Sequence, residues 1–257
     1  MTVPFDTSPV RTVEKNGITV YVFKTANDVA LAASQMMAGT INQPKCNLGL
    51  ATGSTPVKTY TQLIKMHQSR VLSFKNVTTF NLDEYCIPSH HSQSYRTFMQ
   101  ENLFDYVDIK PYDTHVMSGT AVDPEAETRA FESLILARGG VDLWLLGIGA
   151  NGHIGFNEPG SEELSRSRVV ELTARTRKDN ARFFETMDQV PTHAVSAGVA
   201  TILDAKCILL LATGAAKAEA IKAAVVGPRG VECPASFIQG HRHAVFMVDE
   251  EAAAFIE

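Results

Sequence analysis

The chain is expected to fold as a single three-layer α/β/α domain over residues 1–257, built on a mainly parallel, Rossmann-like sheet. Two observations predict this. Short apolar, β-branched runs alternate with longer stretches of helical spacing along the whole sequence, a pattern that gives parallel strands covered by helices on both faces. The 257 residues, 45% apolar and 20% charged, are enough for one large α/β domain, and no linker, repeat or low-complexity segment divides them.

The elements follow in order. Residues 18–23 (ITVYVF) read as a strand. Residues 25–40 follow with helical spacing, and Thr25 with Asp28 forms an N-terminal capping pair. Residues 47–51 are a short buried strand, 55–68 a helix, 77–81 a strand and 94–107 a helix. A helix over 124–137 starts after Asp123. Residues 141–147 (VDLWLLG) form a strand that runs into the glycine-rich stretch 147–155. Residues 168–172 are a candidate strand, 176–184 a helix, and 194–203 fits neither pattern cleanly. The run 207–212 (CILLLA) reads as a buried strand, 215–225 as a helix and 244–248 as the last strand.

Composition excludes several classes. Twenty-three basic and 28 acidic residues leave a net charge of −5, without the basic footprint of a nucleic-acid binder. No apolar run approaches the roughly 20 residues of a membrane span. The four cysteines, Cys46, Cys86, Cys207 and Cys233, form no C-x-x-C pair, so neither zinc nor a redox dithiol is suggested. The opening MTVPFDTSPV has neither the basic nor the apolar region of a secretory signal. The expectation is a cytoplasmic protein with free thiols, no membrane or nucleic-acid partner, and an assembly state that includes a homo-oligomer among the options.

In parallel sheets ligands bind beyond the carboxyl ends of the strands, and four strand-end loops carry unusual chemistry. The first runs from Ala51 to Pro56. Gly53 lets the backbone approach a ligand, Ser54 and Thr55 offer hydroxyls, and the free N–H groups of a helix start attract an anion. It lacks the Gly-Lys-Ser/Thr of a Walker loop, and an ordinary capped helix start has the same composition. The second carries Asp83 and Glu84 after the strand 77–81. A carboxylate held in a partly apolar cleft gains proton affinity and can act as a base, although a solvated acidic turn reads the same way.

The third loop, 147–159, contains Asn151, His153 and Glu158 among glycines. It fails the dinucleotide fingerprint for want of a third glycine in place. A histidine in such a loop, with Asn151 or Glu158 to hold one ring nitrogen, is an acid–base candidate. No second His or Cys lies at zinc-ligand spacing. The fourth set is basic: Arg175, Arg177, Lys178 and Arg182 in one segment, and Lys217 in the first turn of a helix. There a cation opposes the helix dipole, which makes sense beside a bound anion. Most of the arginines suit a solvated face, while Arg182, followed by Phe183 and Phe184, is expected on a side that meets the core. Together the loops suit proton transfer on a small phosphorylated substrate without metal or organic cofactor.

Four segments, 48–60 (LGLATGSTPVKTY), 81–95 (NLDEYCIPSHHSQSY), 142–159 (DLWLLGIGANGHIGFNEP) and 177–184 (RKDNARFF), resemble the glucosamine-6-phosphate deaminase family in order and spacing. The Pro234-Ala235-Ser236 step and the strand before Asp249 also fit. The resemblance implies conversion of glucosamine 6-phosphate and water into fructose 6-phosphate and ammonia. It implies that Asp83 moves a proton from C2 to C1 through an enolamine, and that His153 serves ring opening, oriented by Asn151 and Glu158. It assigns the phosphate to Gly53, Ser54, Thr55, Arg182 and Lys217, and a mobile lid to residues around 172–190.

Two departures matter. Many family members carry Asp where this chain has Asn151, which brings a hydrogen bond without a charge. Members activated by N-acetylglucosamine 6-phosphate carry a basic residue where this chain has Val170, so weak or absent activation is expected. The alternatives are a galactosamine-6-phosphate deaminase, a 6-phosphogluconolactonase on the same scaffold, and a non-catalytic sugar-phosphate sensor. A lactonase needs no base at C2 and a sensor needs no proton relay.

Overall fold

The structure is a computed structural model and describes residues 6–257, apart from the side chains of Arg175 and Asp179. The sequence reading of residues 1–5 and of the Arg175 side chain therefore falls outside the described residues.

The chain opens with a hairpin of β1 (Arg11–Lys15) and β2 (Ile18–Phe23), paired antiparallel. Asn16 and Gly17, both at positive φ (50° and 79°), make its two-residue turn, the geometry that Asn-Gly favours between twisted strands. Then come α1 (Ala26–Ile41), β3 (Cys46–Leu50), α2 (Ser54–Gln68), β4 (Val77–Asn81), the short β5 (Asp83–Tyr85), α3 (Tyr95–Asn102) and β6 (Thr114–His115). The second half holds α4 (Pro124–Arg138), β7 (Leu143–Leu146), β8 (Arg168–Glu171), α5 (Ala174–Asn180), β9 (His193–Ser196), α6 (Val199–Leu203), β10 (Ile208–Ala212), α7 (Ala218–Val225) and β11 (Ala244–Asp249).

The helix ends follow local chemistry. Thr25 and Asp28 form the expected capping box on α1, and Asp123 accepts the Ala126 N–H at 2.9 Å to start α4. The helix expected over 94–107 stops at Asn102, whose side chain donates to the Phe98 carbonyl at 2.8 Å and competes with the backbone. A separate 3₁₀ turn covers Phe104–Tyr106. Similarly, α5 gives way to a 3₁₀ turn at Ala181–Phe183.

Eight strands form one sheet in the order β1-β2-β11-β10-β7-β3-β4-β6, parallel throughout except for β1. Side chains alternate between its faces. Trp144, Leu146, Ile208, Leu210, Phe246 and Val248 pack with Phe131 and Ile135 of α4 and Ile221 and Val225 of α7. Leu143, Leu145, Leu209, Leu211 and Met247 pack with Val29 and Met37 of α1, Tyr60 and Leu63 of α2 and Met99 of α3. This is the predicted three-layer architecture.

From β3 the chain builds outward through β4 to β6; from β7 it builds the other way through β10 to β11. The order therefore reverses between β3 and β7, where a crevice opens at the carboxyl ends of the strands. A second, antiparallel sheet, β5-β9-β8, stands beside that crevice.

Candidate active site

The first three chemically unusual loops and the Lys217 turn lie at carboxyl ends of strands in the main sheet, after β3, β4, β7 and β10, whereas the arginine-bearing segment follows β8 of the second sheet. In the first, Gly53 takes φ +104° and precedes α2 without a side-chain cap. The first N–H groups of a fifteen-residue helix are thus left for an anion. Ser54, Thr55 and Thr213, the last from the loop after β10, line one cavity of about 220 Å³, so these two loops meet.

The two adjacent carboxylates have opposite surroundings. Glu84 is buried and accepts four hydrogen bonds: the Tyr85 N–H at 2.9 Å, the Ser94 hydroxyl at 2.6 Å, the Tyr95 N–H at 2.8 Å and the Arg96 N–H at 3.0 Å. It is an anchor for the start of α3. The carboxylate of Asp83, also buried, has no hydrogen-bond partner among the described residues. Burial first, and the Glu84 charge second, push its carboxyl up to about 8. Gly155 lies against it: a Cβ there would come 3.4 Å from Asp83 Oδ2. The base candidate thus faces the histidine loop.

In that loop His153 lays its ring on Gly149, where a Cβ would fall 2.2 Å from the imidazole. The turn is held by Gly149 N–H to His153 O at 2.9 Å and Gly152 N–H to Gly149 O at 3.0 Å. Nδ1 sits 2.8 Å from Asn151 Oδ1, which accepts its proton and leaves Nε2 free. Asn151 Nδ2 donates to Glu158 Oε2 at 2.7 Å, and that oxygen is 3.5 Å from Nδ1. Burial opposes ionisation of Glu158. The hydrogen bond and charge of His153, with hydrogen bonds from Thr176 and Asn151, outweigh it and bring the carboxyl down to about 2. Two carboxylates of one site are therefore driven apart, the pattern of an acid–base pair with distinct roles.

The basic residues divide. Lys217 is half-buried and donates to the Ile148 carbonyl at 2.6 Å, so it spans from the β10 loop to the β7 loop. Burial lowers its proton affinity, and no carboxylate lies within ion-pair distance of it among the described residues. Arg182 corrects the sequence expectation. It is exposed rather than turned to the core, and its guanidinium stacks on the Phe183 ring at 4.7 Å. Phe184 takes the inward side instead, edge-on to Tyr85 at 6.0 Å. None of the described contacts joins Arg182 to the other phosphate candidates.

Other participants were missed in the sequence. Thr176 of α5 donates to Glu158 Oε1 at 2.7 Å, joining the segment 172–190 to the histidine relay. Tyr85 shares side-chain hydrogen bonds with Tyr95 and Asn180, and Tyr95 with Thr52. Tyr85, Tyr95, Phe156, Leu172 and Phe184 form a small apolar cluster of their own. The run of aromatics was visible in the sequence; their meeting was not. No group of three His, Cys, Asp or Glu side chains is placed to hold a metal among the described residues. No described helix is long and apolar enough to cross a membrane.

The sequence profile of the family described as glucosamine-6-phosphate isomerases/6-phosphogluconolactonase matches residues 22–247. The chain belongs to this family. A glucosamine-6-phosphate deaminase of Shewanella loihica is 49% identical over 237 residues, which are 91% of this chain and 88% of that protein. The solved structure of a monomeric glucosamine-6-phosphate deaminase superposes with a TM-score of 0.89 at 44% identity, covering 91% of this chain and 98% of that one. A 6-phosphogluconolactonase from Trypanosoma cruzi reaches a TM-score of 0.74 at 20% identity over 92% of this chain and 96% of its own; that likeness shows the shared fold alone.

Proposed function

We propose that this chain is a glucosamine-6-phosphate deaminase, converting α-D-glucosamine 6-phosphate and water into β-D-fructose 6-phosphate and ammonium. The observation that carries the reading is the bare, buried Asp83 facing the loop of a tethered His153. Lactone hydrolysis and passive binding have no use for a base at C2.

The steps follow from the placement. With Nδ1–H given to Asn151, Nε2 of His153 takes the proton of the C1 hydroxyl, ionised Glu158 favours the charged imidazole so formed, and Nε2 returns that proton to the ring oxygen as the C1–O bond to it breaks and the sugar opens. Asp83 then removes the C2 proton and returns it at C1. The enolamine formed in between becomes an imine at C2, and water adds to release ammonia and leave the ketone. In the empty site Asp83 holds its proton up to about pH 8. The cationic amino group of the substrate, arriving next to it, restores the carboxylate.

The phosphate sits at the start of α2, with Gly53, Ser54 and Thr55 donating and Lys217 countering its charge. Residues 172–190 act as the lid. Closing it carries Arg182 to the phosphate and excludes water from the enolamine. Every residue in this reading comes from one chain. Val170 stands on β8 where activated members of the family carry a basic residue, so activation by N-acetylglucosamine 6-phosphate is weak or absent.

The test is ammonia release from glucosamine 6-phosphate, coupled to detection of fructose 6-phosphate, with wild type and Asp83→Asn side by side. Turnover by the wild type that the variant loses supports both reaction and base. Turnover of galactosamine 6-phosphate or 6-phosphogluconolactone in its place overturns the assignment.

A further inference from the structure

The phosphate grip just proposed depends on where Lys217 points, and what fixes Lys217 lies one strand away. Asp249 is the last residue of β11 and is buried. Both its oxygens accept the Gly214 N–H, at 2.9 and 3.0 Å, and Oδ1 also accepts the Ala252 N–H at 2.9 Å. Gly214, at φ +86°, leads the 3₁₀ turn Ala215–Lys217. Its carbonyl accepts the Lys217 N–H at 3.0 Å, and the Lys217 ammonium reaches Ile148 O at 2.6 Å. Glu251 adds a weaker tie, accepting the Ala215 N–H at 3.3 Å.

This arrangement is more than a strand end requires. The Ala252 and Ala253 N–H groups, bonded to the Asp249 carboxylate and carbonyl, turn the chain after β11; the grip on Gly214 by both carboxylate oxygens reaches across to the neighbouring strand's loop. Here Asp249 directs its charge onto backbone amides, and Lys217 keeps its own for a ligand.

We propose that Asp249 is a positioning residue for substrate binding: it pins Gly214, and thereby sets the turn from which Lys217 reaches the phosphate. The proposal rests on the reading of Lys217 as a phosphate ligand.

The test compares wild type, Asp249→Asn, Asp249→Ala, Lys217→Met and the Asp249→Ala/Lys217→Met double variant. Two readouts are taken: steady-state KM and kcat for glucosamine 6-phosphate, and the Kd of inorganic phosphate by calorimetry. Asp249→Ala is expected to raise KM and the phosphate Kd by about tenfold, with kcat within about threefold of wild type. Asp249→Asn keeps one acceptor and has a smaller effect in the same direction. In the Lys217→Met background the Asp249 substitution adds nothing. Full additivity there, or a lowered Tm with KM and phosphate Kd unchanged, overturns the proposal. If Asp249→Ala does not fold, Asp249→Asn in both backgrounds decides it. The phosphate titration needs no turnover. A wild type that releases no ammonia sinks the functional reading, while coupling between Asp249 and Lys217 in phosphate affinity still upholds the positioning role.

Discussion

Asp83, Asn151 and His153 hang from the ends of strands that are buried on both faces, whereas the segment over them, residues 172–190, leaves Phe183 49% and Met187 43% exposed. The strand-end groups are fixed by short local ties, such as the imidazole lying on Gly149 and the Asn151–Glu158 bond of 2.7 Å. The upper segment is held by a few contacts along one edge. These include the Thr176–Glu158 bond, Asn180 and the Phe184 ring against Tyr85, and Leu172 in the same cluster, while Arg177 reaching the Val190 carbonyl at 3.2 Å braces the segment within itself. A segment with so few buried contacts opens at a small fraction of the global stability. On the proposed mechanism the reacting groups are preorganised, and binding energy is left to close this segment over the substrate.

The strongest attempt to break this contrast is Asp83→Asn. We expect kcat to fall by about 10³-fold in the ammonia assay, within the roughly 10²–10⁴ typical of a positioned base, with the fold intact by circular dichroism. In the wild type, kcat/KM should rise with pH through about 8, where free Asp83 ionises. A fall of only a few-fold on losing the carboxylate would move the chemistry elsewhere.

Next in size is the lid. Arg182→Met and Phe184→Ala should each raise KM by about tenfold while kcat changes less, because they remove binding and closure rather than the proton path. A lid variant that damaged kcat as deeply as Asp83→Asn would erase the distinction between the two regions.

The smallest effect sharpens the contrast within the frame itself. Asp83 keeps its proton to about 8 when folded, against an ordinary 3.8. Between those values the unfolded chain binds fewer protons, so rising pH destabilises the fold. Asp83→Asn removes that penalty, and its Tm should exceed that of the wild type increasingly from about pH 4 to pH 8. Glu158 has the opposite sign, with an ordinary 4.5 brought down to about 2. Its stabilisation is present above about pH 4.5 and lost as pH falls toward 2, so Glu158→Gln should lower Tm near pH 6 and match the wild type at the acid end. For a chain of this size each kcal/mol is worth about 2–4 °C. Parallel pH–Tm curves for the two variants would mean that the two carboxylates share one environment.

The long buried strands were legible because five or six apolar residues between turn signals leave few other readings. Asp83 and Glu84 were legible as a pair, but nothing in two adjacent acids says which is caged. That depends on Ser94, Tyr95 and Arg96 folding back onto one of them. The strands β5 and β9 are three and four residues long, too short to show a period of two, whereas the candidate strand read over 168–172 is β8, Arg168–Glu171. Residues 194–203 resisted assignment because they hold the end of a strand and a five-residue helix in succession. The opening hairpin was overlooked although Asn16-Gly17 is a strong turn signal; Arg11–Lys15 carries one buried residue in five and has no apolar run to announce it. Arg182 was misplaced because the helix through it ends at Asn180, and the tighter turn that follows rotates its side chain outward.

The pairing of β2 with β11 has a consequence for how the molecule is made. Ile18 lies opposite Ala244, so a strand made early waits for a partner made much later. Until residues 244–249 emerge, the opening hairpin presents an open edge of alternating Val, Tyr and Phe to any other nascent chain. Strand edges of that kind nucleate aggregates, and closing so long a loop is slow. Synthesis of this protein should therefore be sensitive to holding chaperones and to temperature, and its yield limited by the wait for β11 rather than by the stability of the finished sheet.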